Sequence, residues 1–180
     1  NKRKKLSNVD VDKDQPLKGK LIIQMYEKQS SRTRLSFHLS ISQLGGSTIT
    51  IKANELHLGK GSESLADTAK ILSTYGDGFM LRTDSDKKIE DFSKNLEIPI
   101  VNLLSPSSHP CQVLSDVFTV EEIKKKPISK LNICWIGDSN NVLNSLIATS
   151  VKFKFNLNIG CPKNYKPPKF VIDWVKKNKR

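Results

Sequence analysis

The chain has 180 residues, 37% of them hydrophobic and 27% charged, and its 30 Lys and Arg outnumber 18 Asp and Glu to give a net charge of +12. That length suits one domain, or one and part of a second, and the apolar content argues against disorder. No run approaches the ~20 apolar residues of a membrane span, and the basic start lacks the apolar core of a secretory signal, so a soluble, cytoplasmic protein with no membrane partner is expected.

Much of the excess positive charge falls in residues 1–5, 124–126 and 176–180, which read as solvated surface. The overall excess suits a partner bearing phosphate or carboxylate. A basic nucleic-acid-binding module is the rival reading. It would interleave aromatic and basic residues along one face, whereas the seven phenylalanines mostly occupy positions compatible with a core, so no nucleic-acid partner is expected. Cys111, Cys134 and Cys161 are odd in number, widely spaced and without C-x-x-C pairing, which predicts neither a disulfide framework nor a metal site.

In chain order, short apolar runs predict strands at 21–26, 48–52, 78–82, 98–103, 131–136 and 156–160. Helical patterns separate them, the signature of an α/β fold with a largely parallel sheet flanked by helices. The segment around Leu35, Phe37, Leu39 and Ile41 fits both strand and helix periods. Its flanks decide for a helix: Ser30, Ser31 and Thr33 offer capping hydroxyls, and Gly45-Gly46 supplies a stop. Over 64–75, Leu65, Ala69, Leu72 and Tyr75 share one face, ahead of Gly76. Over 87–97, Ile89, Phe92 and Leu96 point inward. A helix over 112–126 ends in a lysine cluster, and a domain boundary is expected near Pro127. Residues 127–180 then read strand, a turn at 137–141, helix, strand, and a last helix begun by Pro167-Pro168, a second Rossmann-like α/β unit.

Ligands of open parallel sheets bind beyond the carboxyl ends of the strands. After the first strand come Ser30, Ser31, Arg32, Thr33 and Arg34, which open a helix whose unpaired N–H groups and positive dipole end suit phosphate. Arg82 ends the third strand, and His109 and Gln112 follow the fourth. Singly, these read as a cap, a surface arginine and a capping histidine. Together they offer basic and hydrogen-bonding groups to one sheet edge.

At these residues the chain resembles the aspartate/ornithine carbamoyltransferases. Glu27-Lys28-Gln29-Ser30-Ser31-Arg32-Thr33-Arg34-Leu35-Ser36-Phe37 is similar to the family's Ser-Thr-Arg-Thr-Arg element, with Ser31 in place of the usual threonine. Gln43-Leu44-Gly45-Gly46, Glu63-Ser64-Leu65-Ala66-Asp67-Thr68 and His109-Pro110-Cys111-Gln112 follow in the family's order. The resemblance implies that residues 1–126 bind carbamoyl phosphate and that 127–180 begin an ornithine-binding domain. It places phosphate on Ser30, Ser31, Arg32 and Thr33, and the carbamoyl group against Arg82, His109 and Gln112. Arg32, Arg82 and His109 would be the catalytic set, working by positioning and electrostatics with no metal or organic cofactor.

The turn Gly137-Asp138-Ser139-Asn140-Asn141-Val142-Leu143-Asn144-Ser145 looks like the ornithine branch, in which Asn141 would hold ornithine. The expected partners are therefore carbamoyl phosphate and L-ornithine, in arginine biosynthesis or degradation, with a homotrimer or higher homo-oligomer as the assembly. An aspartate or other amino-acid carbamoyltransferase is the alternative within the family, and a non-catalytic binding protein the one outside it. The loop 58–64 approaches the aspartate-enzyme length, and Lys60 reads either as a residue reaching a neighbouring subunit's site or as a solvated loop lysine. The family's Asp-x-x-x-Ser-Met-Gly and His-Cys-Leu-Pro elements do not occur in these residues, so the 180 residues alone are not expected to turn over.

Overall fold

A computed structural model describes residue 7, residues 10–52 and residues 63–178, so Lys60 lies outside the described residues. The chain divides into two compact units, Asn1–Leu103 and Leu104–Arg180.

The first unit runs β1 (Leu21–Tyr26), α1 (Ser31–Gln43), β2 (Ser47–Lys52), α2 (Leu65–Tyr75), β3 (Gly78–Arg82), α3 (Asp86–Asn95) and β4 (Ile100–Leu104). Its strands form one sheet in the order β2-β1-β3-β4, with β1 parallel to both β2 and β3. A parallel pair cannot be joined by a tight turn, which is why a helix follows each strand here. β1 reads Leu-Ile-Ile-Gln-Met-Tyr and is buried along Ile22–Met25, the near-continuous apolar run of a central strand covered on both faces. Ile23, Met25, Ala69, Leu72, Phe79, Leu81 and Phe92 form the core, and the rings of Phe79 and Phe92 lie 5.0 Å apart.

Local chemistry sets the ends of these elements. Ser64 caps α2 by accepting the Asp67 N–H, and Ser85 caps α3 by accepting that of Lys88. Gly45 closes α1 at φ +86, where a Cβ would sit 2.9 Å from the Gln15 Cβ. Asp77, just before β3, accepts from Lys20 Nζ at 2.8 Å and from the Leu21 N–H at 2.9 Å, which fixes the start of β1 against that of β3. Those two bonds, the Lys20 one first, hold the Asp77 carboxyl below its ordinary value.

The second unit contains α4 (Pro110–Lys124), a 3₁₀ turn (Ile128–Lys130), β5 (Asn132–Ile136), α5 (Asn141–Phe153), β6 (Asn156–Gly160) and α6 (Lys169–Asn178). β5 and β6 pair in parallel. Val113 and Val117 of α4 pack with Ile128 and Phe155, while Leu143 and Ile147 of α5 pack with Val171 of α6. Asn140 opens α5 by accepting the N–H groups of Val142 and Leu143.

Several expectations need correction. α4 begins at Pro110, two residues before the predicted 112, because proline suits the first helical position, where no N–H is needed. Tyr75 is 70% exposed and does not share the buried face of α2, which ends at that residue. Of the seven phenylalanines, Phe79, Phe92 and Phe155 are buried, but Phe118, Phe153 and Phe170 are exposed. Helical spacing left their side unspecified, so the core-compatible reading holds for fewer of them than expected.

Candidate anion-binding site

In the first unit β1 connects to β2 on one side, and the chain then crosses to place β3 on the other. Chain connections leave β1 and β3 in opposite directions, and the region beyond the carboxyl ends at such a switch point is the usual ligand position in these sheets. Ser30 follows β1 and Arg82 ends β3, so both lie at this switch point.

Ser30 is the N-cap residue of α1, yet its side chain makes no capping bond. Its hydroxyl instead accepts from Arg82 Nη1 at 3.1 Å, and the Thr33 hydroxyl accepts from the same nitrogen at 3.5 Å. This corrects the capping expectation: the hydroxyl serves the neighbouring strand end. The first N–H groups of a helix have no partner within the helix, and the first turn of α1 has no acidic residue to neutralise its positive end. Ser31 and Arg32 are exposed.

Arg82 is half-buried, and its Nε is buried with no hydrogen-bond partner. Among the described residues no carboxylate pairs with its guanidinium. A buried donor left unmade costs ~1–3 kcal/mol. The chemistry that would satisfy it, beside two hydroxyls and a helix start, is an oxyanion.

In the second unit His109 precedes Pro110 as the N-cap of α4, and its side chain makes no capping bond. The His109 N–H donates to Ser145 Oγ at 2.8 Å. Asn141 Nδ2 donates to the Ser105 carbonyl at 3.1 Å, and Asn144 Nδ2 to that of Ser107 at 3.0 Å. Three side chains from the first turns of α5 therefore hold the loop that presents His109. Gln112, exposed, donates to Asp116 one turn along its own helix at 2.8 Å. Burial pushes the Cys111 thiol up and keeps it protonated, opposed by a smaller backbone hydrogen bond. No three His, Cys, Asp or Glu side chains group as a metal site among the described residues. No helix there is long and apolar enough to cross a membrane.

The structure brings the expected residues Ser30, Thr33 and Arg82 within hydrogen-bond reach of one another, and beside them lie contacts that the sequence did not suggest. Glu27, whose carboxylate is 11% exposed, accepts from Lys88 Nζ with one oxygen and from Thr83 Oγ1 with the other. These residues lie 56 and 61 positions from Glu27, and no local pattern links them.

A half-buried guanidinium without a carboxylate partner among the described residues, beside a helix start with no side-chain cap at the switch point of a parallel sheet, gives this α/β protein a set of donors suited to an oxyanion. Residues 1–122 match the family described as aspartate/ornithine carbamoyltransferase, carbamoyl-P binding domain, and residues 129–180 match its Asp/Orn binding domain. The chain belongs to the aspartate/ornithine carbamoyltransferase family. It is 42% identical over 165 residues to an ornithine carbamoyltransferase of Mesorhizobium japonicum, covering 92% of this chain and 54% of that protein. A solved ornithine carbamoyltransferase from Pyrococcus furiosus superposes with a TM-score of 0.83 at 38% identity, over 92% of this chain and 52% of the other. An anabolic ornithine carbamoyltransferase from Campylobacter jejuni gives a TM-score of 0.85 at 33% identity, over 98% and 57%. The chain thus spans about half the length of the curated relatives it matches.

Proposed function

We propose that the protein is an ornithine carbamoyltransferase, moving the carbamoyl group of carbamoyl phosphate to the side-chain amine of L-ornithine and releasing L-citrulline and phosphate. The observation that carries this reading is the Arg82 guanidinium, which has a buried Nε without a partner and donates to Ser30 and Thr33 at the start of α1. The names of the relatives favour ornithine over aspartate as the acceptor.

On this reading residues 1–126 bind carbamoyl phosphate, and residues 127–180 are the first part of the ornithine-binding domain. Ser30, Ser31, Arg32 and Thr33 hold the phosphate, whose charge suits the helix start and the guanidinium of Arg32. The deprotonated amine attacks the carbamoyl carbon, and the carbonyl oxygen gains negative charge in the tetrahedral transition state. Arg82 and His109 stabilise that oxygen, Gln112 hydrogen-bonds the carbamoyl group, and Asn141 binds the amino acid. Before they reach a ligand, Gln112 must release Asp116 and Asn141 the Ser105 carbonyl. The protein works as a homotrimer or higher homo-oligomer. Its three free cysteines suit the reducing cytoplasm.

The test is product analysis with carbamoyl phosphate and either ornithine or aspartate. In a chain extended to the length of its relatives, citrulline formation that Arg32→Ala abolishes is the expected result. Carbamoyl-aspartate as the main product would move the assignment to the other branch, and carbamoyl phosphate binding unaffected by Arg32→Ala would remove the phosphate site.

A further inference from the structure

Lys88 has no role in the reaction proposed above, yet it makes the least exposed of the side-chain ion pairs among the described residues. Its side chain is 32% exposed and that of its partner Glu27 is 11%, whereas the Lys20–Asp77 pair stands at 52% and 36% and the Lys87–Asp91 pair at 81% and 33%. A pair this far from water is a doubtful source of stability, because desolvating both charges offsets much of their attraction. Its place in the chain points to another use.

Glu27 lies one residue beyond β1 and three before Ser30. Its backbone N–H donates to the Arg82 carbonyl at 3.0 Å, and its carboxylate accepts from Lys88 and from Thr83, the residue after Arg82. Thr83 is fully buried, and its hydroxyl also accepts the Ser85 N–H at 3.2 Å, while Ser85 caps α3 on the Lys88 N–H. The exits of β1 and β3 and the first turn of α3 are thus joined through one carboxylate. Residues 28–30 hang from that joint, and Ser30 makes no capping bond of its own to fix where α1 begins.

We propose that Lys88 is a positioning residue for oxyanion binding, holding the Glu27 carboxylate so that the 28–33 segment and Arg82 keep the spacing an oxyanion needs. The inference rests on the carbamoyl phosphate reading for the identity of the ligand, but the mechanical coupling does not. Lys88 touches no ligand. It acts through Glu27, on the loop that carries Ser30 and on the strand end that carries Arg82.

The experiment measures two quantities on the wild type, Lys88→Met and Lys88→Arg: affinity for carbamoyl phosphate and for inorganic phosphate by calorimetry, and amide hydrogen exchange across 27–34 without ligand. Lys88→Met should bind both anions roughly ten- to a hundredfold more weakly, the scale expected when binding groups are displaced by about 1 Å. Exchange should speed up in 27–34 and stay unchanged in α2. Lys88→Arg, which keeps the charge, should recover most of the affinity. If Lys88→Met fails to fold, Glu27→Gln, which retains an acceptor for Thr83, carries the same expectation. Where both single variants fold, their double variant should be no weaker than the worse of them, as for residues acting through one contact.

Wild-type affinity together with unaltered exchange in Lys88→Met overturns the proposal. So does equal weakening in Lys88→Met and Lys88→Arg, because a charge-bearing brace predicts rescue. If the wild type binds neither anion, the carbamoyl phosphate reading fails, and the coupling is then decided by exchange alone, where unchanged rates across 27–34 overturn it.

Discussion

Replacing Arg82 by Met separates binding from folding, because the two effects of the guanidinium on stability nearly cancel. Its Nη1 donates to two hydroxyls, at 3.1 Å and at a longer 3.5 Å; a bond made by a charged group contributes ~1.5–3 kcal/mol, and the longer contact adds little at the edge of hydrogen-bond geometry. Against them stands the buried Nε, whose lack of a partner costs ~1–3 kcal/mol and disappears with the substitution. Met covers a similar apolar stem, so stability should change by no more than ~1 kcal/mol. The anion loses much more. Two charge-assisted bonds at ~1.5–3 kcal/mol each give at least ~3 kcal/mol, or more than a hundredfold in Kd.

The assay is calorimetric titration with carbamoyl phosphate at fixed salt, paired with urea denaturation of the same preparations. Because the net charge of +12 attracts anions generally, Lys87→Met serves as a control. It removes one exposed charge and should alter Kd by about twofold at most, since exposed charges are screened. Unchanged affinity in Arg82→Met would refute ground-state binding of the anion by Arg82, and unchanged affinity together with unchanged kcat would refute the assignment. A loss of ~3 kcal/mol or more of stability alongside weaker binding would mean that Arg82 serves the fold rather than the ligand.

The remaining predictions concern the frame around the site. Asp77→Asn should flatten the acid limb of the stability curve: the folded carboxyl titrates below its ordinary 3.8, so its contribution is complete above that value and is lost as pH falls through the folded one. Urea midpoints from about pH 5 to pH 2 measure this, and parallel curves for the two proteins would contradict it. Phe92→Ala removes a fully buried ring packed at a tilt against Phe79 and should cost ~3–5 kcal/mol in the first unit, read by the same denaturation; a loss near ~1 kcal/mol would place that core elsewhere. Asn140→Ala leaves the Val142 and Leu143 N–H groups uncapped and should cost ~1 kcal/mol of second-unit stability, with faster amide exchange in the first turn of α5. Protection identical to wild type there would show that packing alone holds that turn.

What could be read from the chain without coordinates was what neighbours in sequence decide. Apolar runs of four to six residues and the helical spacing of Leu65, Ala69 and Leu72 are properties of a dozen residues at a time, and they yield strands, helices and a parallel α/β class. Gly45-Gly46 after α1 is equally local, since it turns on backbone freedom at one place. The cluster at 30–34 stood out as a candidate because a helix start attracts anions wherever it lies. Tertiary structure alone decided the rest. That β1 sits between β2 and β3, bringing Ser30 and Arg82 to one switch point, depends on which strands pair, and pairing is a long-range choice. That Tyr75 and Phe118 face water while Phe92 is enclosed depends on which helix face meets the sheet and how far each helix extends beyond it. The use of Ser30 as an acceptor for Arg82 rather than as a cap, and of Glu27 as the anchor for Thr83 and Lys88, joins residues about fifty to sixty positions apart. No window of local sequence contains both ends of those bonds, and only the packed chain brings them within reach.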